Sequence, residues 1–314
     1  MTEQELLQHV AAAAQRLRAA LQIEPLRRET VFAAVDACLT ELAATKVWGQ
    51  ANRLPSGKLW EIAGEWLQHG ALLHRARFKP RGYAGDFEML GQICDYWCCD
   101  HPLGNLLDHY FQEHAAPKAV RHRTRIVADA IASGARAAGG EFHVASIGSG
   151  PAMDLVWAAE ALSPQERARL RVSLFDLDPH ALAAAKARLK PLFTAQQVEP
   201  VRVNLYRLPK LEPSPLRDAD LIACTGFFDY LNEADATALL AALWQKVRAA
   251  GRLLVFNFAP HNPSRGLMEW IGNWYLIYRD EQAMRGLAAR TGIGEDCEIK
   301  AEAEGIDLYI DARR

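Results

Sequence analysis

Over the first 140 or so residues, apolar positions recur with helical spacing. Thr2-x-x-Glu5 has the form of a capping box ahead of an Ala/Leu-rich amphipathic stretch. A second helix is predicted from about Glu29 to Ala44. A third follows Pro55-Ser56, where Leu59, Trp60, Ile62, Ala63, Trp66 and Leu67 fall on one face. FKPRGYAGDFEML (78–90) interrupts the pattern with two glycines and a proline. Helical text resumes through Cys94, Cys98 and Cys99, is punctuated by His101-Pro102, and continues from roughly Pro117 to Ala138.

At Glu141 the period changes. FHVASI (142–147), RVSLFDLD (171–178), VEPVRVNL (198–205), ADLIACTG (219–226) and GRLLVFNF (251–258) read as strands. Between them lie helical segments through Ala161, at PHALAAAKARL and at EADATALLAALWQKVR. Strands alternating with helices imply βαβ units and a mostly parallel sheet. After a helical insertion from Arg265 to Thr291, CEIKAEA and GIDLYIDA stand at hairpin spacing. The expected architecture is an α/β, Rossmann-like sheet, mostly parallel with a C-terminal antiparallel hairpin, over residues 141–314. An all-helical N-terminal domain over residues 1–140 precedes it.

Composition narrows the function. Lys and Arg total 36 against 38 Asp and Glu, a net charge of −2 with both signs interspersed, so nucleic-acid binding has little support. No apolar run reaches membrane-spanning length, and MTEQELLQHV lacks the pattern of a signal peptide. The six cysteines show no disulfide-like spacing, which suits a reducing compartment. A cytoplasmic protein is therefore expected, with no nucleic-acid or membrane partner. Nothing in the chain fixes its oligomeric state. Cys94, Cys98, Cys99 and His101 would crowd as zinc ligands and lack a second pair, so no metal is expected.

In an open α/β sheet, ligands sit outside the carboxyl ends of the strands. After the first strand lies Gly148-Ser149-Gly150, whose glycines permit positive φ and close approach of a ligand to the backbone. Position 153 is Met, so the dinucleotide fingerprint is not completed. At the tip of the second strand, Asp176 is placed to accept hydrogen bonds from ribose hydroxyls, while Asp178 reads as a helix cap. Asn204, after the third strand, reads equally as a turn residue or as an amide facing an adenine edge. Thr225-Gly226-Phe227-Phe228-Asp229-Tyr230 follows the fourth strand, and Asn257 ends the fifth.

This order of glycine loop, acid, polar residue and aromatic loop, with the terminal hairpin, resembles class I S-adenosylmethionine (SAM)-dependent methyltransferases over residues 141–314. That family usually has an acid where this chain has Ser146. Three segments narrow the likeness: KPRGYAGDFEM (79–89), TGFFDYL (225–231) and NFAPHNPSRGLMEWIGNWYLIYR (257–279). They resemble bacterial methyltransferases that make the extracellular factor 3-hydroxypalmitic acid methyl ester, and enzymes that cyclise SAM to azetidine-2-carboxylate. The resemblance implies SAM as cofactor, held by Gly148, Ser149, Gly150, Asp176, Asn204, Thr225 and Gly226. Tyr83, Asp86, Tyr230 and Asn257 become catalytic candidates, with Asp229 an alternative base. Arg81, Phe228, Tyr278 and Arg279 become substrate-binding candidates. Against these stand plainer readings: Asp86 as a cap, Phe228 as core, Arg279 as a helix-end partner. The favoured activity is methyl transfer to an oxygen acceptor such as a hydroxy fatty acid. The alternatives are internal cyclisation of SAM, releasing methylthioadenosine, and a non-catalytic SAM-binding module.

Overall fold

The structure, a computed structural model, describes residues 1–294 and 297–314. Packing divides the chain into two units, one of residues 1–118 with 262–275 and one of residues 119–261 with 276–314. This departs from the expected boundary at 140. The first unit reaches only to 118 and takes in a later segment, 262–275.

The smaller unit contains α1 (Glu3–Leu21), α2 (Arg28–Ala44), α3 (Arg53–Leu67), α4 (Ala71–Phe78), α5 (Phe87–Cys94), α6 (Pro102–Gln112) and the start of α7 (Ala115–Ala137). The capping box at Thr2 forms: the Glu5 N–H donates to Thr2 Oγ1 at 3.2 Å, and the Thr2 N–H donates to the Glu5 carboxylate at 2.7 Å. Val10, Ala13, Ala14, Leu17 and Leu21 line the buried stripe of α1, which packs on α2 and α3. Helix α5 stops at Cys94, short of the expected run through the cysteines, because Tyr96 takes a left-handed φ of 52° that a helix cannot propagate. Gly85, at φ 66°, also lies where an added Cβ would come within 2.4 Å of the Trp274 ring, so no larger residue fits there.

The larger unit takes the rest of α7. It continues through β1 (Phe142–Ile147), α8 (Met153–Glu160), α9 (Pro164–Arg167), β2 (Leu170–Asp176), α10 (Pro179–Leu189), β3 (Val198–Arg202) and β4 (Ala219–Cys224). Then come α11 (Glu233–Gln245), β5 (Val247–Phe258), α12 (Glu281–Ala289), β6 (Glu298–Ala301) and β7 (Asp307–Arg313). The strand order is β3-β2-β1-β4-β5-β7-β6. Strands β1 to β5 pair in parallel, and β7 is antiparallel to both β5 and β6. The expected Rossmann-like sheet with its terminal hairpin is present.

Both faces of this sheet are buried, and alternate residues of each strand feed opposite cores. Val144, Leu174, Ala223 and Leu254 pack with α7, α8 and α10. Ala145, Phe175, Ile222, Cys224 and Leu253 pack with α11 and α12 on the other side. Because the chain winds outward from β1 in both directions, the switch in strand order falls between β1 and β4.

Several element ends differ from the expectation: β2 stops at Asp176 and β4 at Cys224, each two residues early. Strand β3 stops at Arg202, before the turn at Asn204. Strand β5 starts at Val247, so α11 ends at Gln245 instead of continuing to 248. Ala250, at φ 62°, and a register shift opposite Ala219–Leu221 accommodate the lengthened strand as a bulge. The stretch expected to be helical from Arg265 to Thr291 holds a single π-helical turn at Leu267–Ile271 and α12, with irregular backbone between them.

Candidate functional site

The carboxyl end of β1 is tied to that of β2. The Gly148 and Ser149 N–H groups donate to the Phe175 carbonyl at 2.8 and 3.0 Å. The Gly150 N–H donates to Asp176 Oδ2 at 3.0 Å, and the Asp178 N–H donates to Asp176 Oδ1 at 3.0 Å. These bonds require the corner to turn sharply, and Gly148 (φ 67°) and Gly150 (φ 49°) supply left-handed conformations. A Cβ added at Gly148 would point at Leu205 and Phe227, both 3.7 Å away, so the residues that follow β3 and β4 close around the glycine corner.

Two features leave this corner chemically open. Each carboxylate oxygen of Asp176 accepts one backbone N–H and retains a further acceptor site. Burial raises its pKa, opposed by the N–H groups of Asp178 and Gly150. Ser149 is buried, and among the described residues its hydroxyl has no hydrogen-bond partner. Such an orphan costs about 1–3 kcal/mol unless something outside the chain satisfies it.

Around the corner, Asn204 Oδ1 accepts the Tyr206 N–H at 3.0 Å, forming a side-chain turn. The structure thus gives Asn204 a turn role. Tyr206 stands 46% exposed, with its ring edge on Phe227 at 5.2 Å and its hydroxyl 3.4 Å from the Tyr230 carbonyl, to which it donates. Sequence reasoning missed Tyr206, although an aromatic residue just past a strand end carried the signal. Thr225 and Gly226 lie half-buried at the end of β4. The guanidinium of Arg123 comes up to Gly226, where an added Cβ would be 3.0 Å from Nη2. Asp154 was also missed. It follows the glycine corner on the first turn of α8, accepts the Leu155 N–H at 2.9 Å, and is pushed up to about 6 by burial.

Beneath the aromatic loop lies a polar network that corrects three expectations. Phe228 is fully buried in the core and presents no surface to a substrate. Asn257, also fully buried, donates through Nδ2 to the carbonyls of Phe258 (3.0 Å) and Ile277 (2.9 Å). Its Oδ1 accepts from Arg279 Nη1 at 2.5 Å, so both ends of the amide are engaged and no catalytic role remains for it. Arg279 also donates to Glu233 (2.8 Å) and to the carbonyls of Phe228 (2.9 Å) and Leu231 (2.6 Å). It is a clamp on the 228–231 turn rather than a substrate anchor. Tyr278 sits half-buried beside it.

Asp229 is buried and accepts the Phe258 N–H at 2.8 Å, with Arg123 3.8 Å away. Burial pushes its pKa up to about 6 against the pull of Arg123. Arg123 pairs more closely with Asp307, at 2.8 Å.

Three further candidates belong to the smaller unit. Asp86 is buried and caps α5, accepting the N–H groups of Glu88 (3.1 Å) and Met89 (3.0 Å), and it pairs with Arg75 at 2.8 Å. These contacts give Asp86 the role of helix cap and ion-pair partner, the plainer of its two sequence readings. Arg81 pairs with Glu88 and lies 4.5 Å over the Phe87 ring, so its charge is already compensated. Tyr83 is 39% exposed on the same loop. Of the cysteine group, Cys99 donates to the His69 carbonyl at 3.4 Å, and His69 stacks on His101 at 3.8 Å.

Strand order and terminal hairpin define a Rossmann-like sheet, mostly parallel, with the glycine corner at the carboxyl end of β1. Several solved structures share the fold, among them the three that follow. One, described as a possible exported protein from Bordetella parapertussis, is 15% identical with a TM-score of 0.61, covering 100% of this chain and 99% of its own. The CurJ carbon methyltransferase is 12% identical with a TM-score of 0.55, covering 99% and 91%. An O-methyltransferase family protein from Burkholderia thailandensis is 15% identical with a TM-score of 0.51, covering 99% and 94%. No family model and no curated protein matches the chain.

Proposed function

We propose that this chain is a SAM-dependent methyltransferase acting on a small molecule. The observation that carries the reading is that one glycine corner holds both the Asp176 carboxylate and a buried Ser149 hydroxyl with no partner among the described residues. The corner fits an adenosine-bearing ligand: Asp176 retains acceptor sites for ribose hydroxyls, Ser149 offers a hydroxyl with no other use, and Gly148 keeps the backbone uncovered. SAM would supply an electrophilic methyl group. Phe227 lies beside Gly148 and packs against Tyr206, and aromatic rings of this kind attract a sulfonium. Two of the proteins sharing the fold are themselves described as methyltransferases, an analogy of architecture alone.

The acceptor we infer is an oxygen nucleophile, and among oxygen nucleophiles a carboxylate. A hydroxyl acceptor needs a base. Asp86 and Asp229, the acids the sequence nominated, are both engaged by backbone N–H groups and arginines. A carboxylate is already ionised and needs only orientation and exclusion of water. A hydroxy fatty acid satisfies that requirement. Tyr83 remains our candidate for contact with the acceptor. The six cysteines are free thiols, in keeping with a reducing cytoplasm. No helix among the described residues is long and apolar enough to cross a membrane.

Incubation of the purified chain with SAM, with and without 3-hydroxypalmitate, tests the reading. Acceptor-dependent S-adenosylhomocysteine is expected. Methylthioadenosine from SAM alone would instead identify an internal cyclase, and calorimetry showing no SAM uptake would remove the whole proposal.

A further inference from the structure

In the smaller unit, three cations converge where no acid among the described residues pairs with them. Arg53, Arg77 and Lys79 lie close enough for Arg53 and Arg77 to lower the pKa of Lys79, after burial, the larger cause. Among the described residues none of the three forms an ion pair. Arg77 Nη1 donates to Ser56 Oγ at 2.9 Å and to the Ile271 carbonyl at 3.4 Å, and its Nη2 donates to the Ser56 carbonyl at 3.3 Å. Lys79 Nζ donates to the Asn273 carbonyl at 2.8 Å. Glu269, the acid that acts on nearby Tyr275, is taken up by Arg265 at 2.7 Å and by the Gly49 N–H at 2.7 Å.

Aromatic rings flank the same charges. The Arg77 guanidinium lies 4.6 Å over Trp60, and that of Arg53 lies 5.5 Å over Tyr275. Tyr275 is fixed by its hydroxyl, which donates to the buried Asn52 at 3.1 Å. Phe78 meets Trp60 edge-on at 5.6 Å and is 59% exposed. Lys79 and Asn273, joined by the Nζ–carbonyl bond, both hold left-handed backbone at φ 47°. Lys79 takes it as the C-cap of α4, and asparagine tolerates it.

Like charges held together against their mutual repulsion, on neutral acceptors and beside exposed aromatic surface, make a receptor lacking its counter-charge. We propose that Arg53, Arg77 and Lys79 form a binding site for an organic oxyanion, a carboxylate or phosphate monoester, whose apolar portion lies along Trp60, Phe78 and Tyr275. Arg77 retains its Nε–H and one Nη2–H, and Lys79 retains two ammonium protons, enough to grip two oxygens. The site lies within one unit and does not rest on the reading of the glycine corner.

Calorimetric titration of the full chain with octanoate, monooctyl phosphate and octanol tests it. At least one anion should bind, and octanol should not bind at the same concentration. Heat from octanoate alone assigns carboxylic acids, and heat from monooctyl phosphate alone assigns phosphate monoesters. Lys79→Gln and Arg53→Gln should each weaken anion binding about tenfold, the loss of one charge-assisted hydrogen bond or its equivalent. Lys79→Gln should leave the melting temperature of the ligand-free chain equal or higher, because it relieves repulsion. Equal binding of octanol, no heat from either anion at millimolar concentration, or unchanged affinity in both variants would overturn the site.

Discussion

Arg279 in the larger unit and Arg77 in the smaller are both withdrawn from solvent, and both lie near aromatic residues. Their surroundings differ in kind. Arg279 spends its donors on Glu233, Asn257 and two carbonyls, and it fixes the 228–231 turn. Arg77 holds a serine and a backbone carbonyl and faces two more cations. Burial of a guanidinium therefore says little about its task. What separates a structural arginine from a receptor is whether the protein itself supplies the counter-charge. The glycine corner repeats the contrast without a net charge: Asn257 is saturated, while Ser149 has no partner among the described residues.

If compensation is the distinction, the largest response belongs to the clamp. Arg279→Ala strands Asn257 Oδ1 and two carbonyls, and it should cost about 3–5 kcal/mol in chemical denaturation. The same substitution at Arg77 should cost clearly less, since it also removes repulsion; equal losses would erase the contrast. Asp176→Ala comes next, acting on binding more than on folding. It should weaken SAM by about 1.5–3 kcal/mol, the worth of charge-assisted bonds to ribose, and calorimetry reads this directly. Unchanged affinity would remove the acid from the site.

The smallest effect concerns Asp154, an acid next to the corner with no ion-pair partner among the described residues. Its folded pKa, raised by burial to about 6, exceeds the unfolded value of 3.8. The folded state then holds the proton longer, so this contribution to stability is full below pH 3.8 and is lost as pH rises through 6. Asp154→Asn should flatten that slope and raise stability at pH 7 by about 1–3 kcal/mol. Parallel stability–pH curves for the two proteins would mean that Asp154 titrates normally.

What the sequence made legible follows from range. The span of β1, the capping box at Thr2 and the glycine corner depend on residues within a few positions of one another, and each could be read directly. Asn204 was readable as a turn residue for the same reason, because Asn side chains compete locally with strand bonding. Arg279 was not readable as a clamp. Its partners Glu233, Phe228, Leu231 and Asn257 lie 46, 51, 48 and 22 residues away. Asp86 stood between: its cap was visible in sequence, but its ion-pair partner Arg75, 11 residues back, was not. The cationic cluster escaped notice because it joins residues 53, 77 and 79 to Tyr275, beyond the reach of any motif.

The position of β7 sets the order in which the molecule can be completed. It is an interior strand, pairing with β5 along seven residues, from Arg252↔Arg313 to Phe258↔Asp307, and carrying β6 on its outer side. As the chain emerges from a ribosome, β5 must wait with one row of backbone groups unpaired until residues 307–313 are made. A nascent chain held before that point offers a bare apolar edge to its neighbours on the same message.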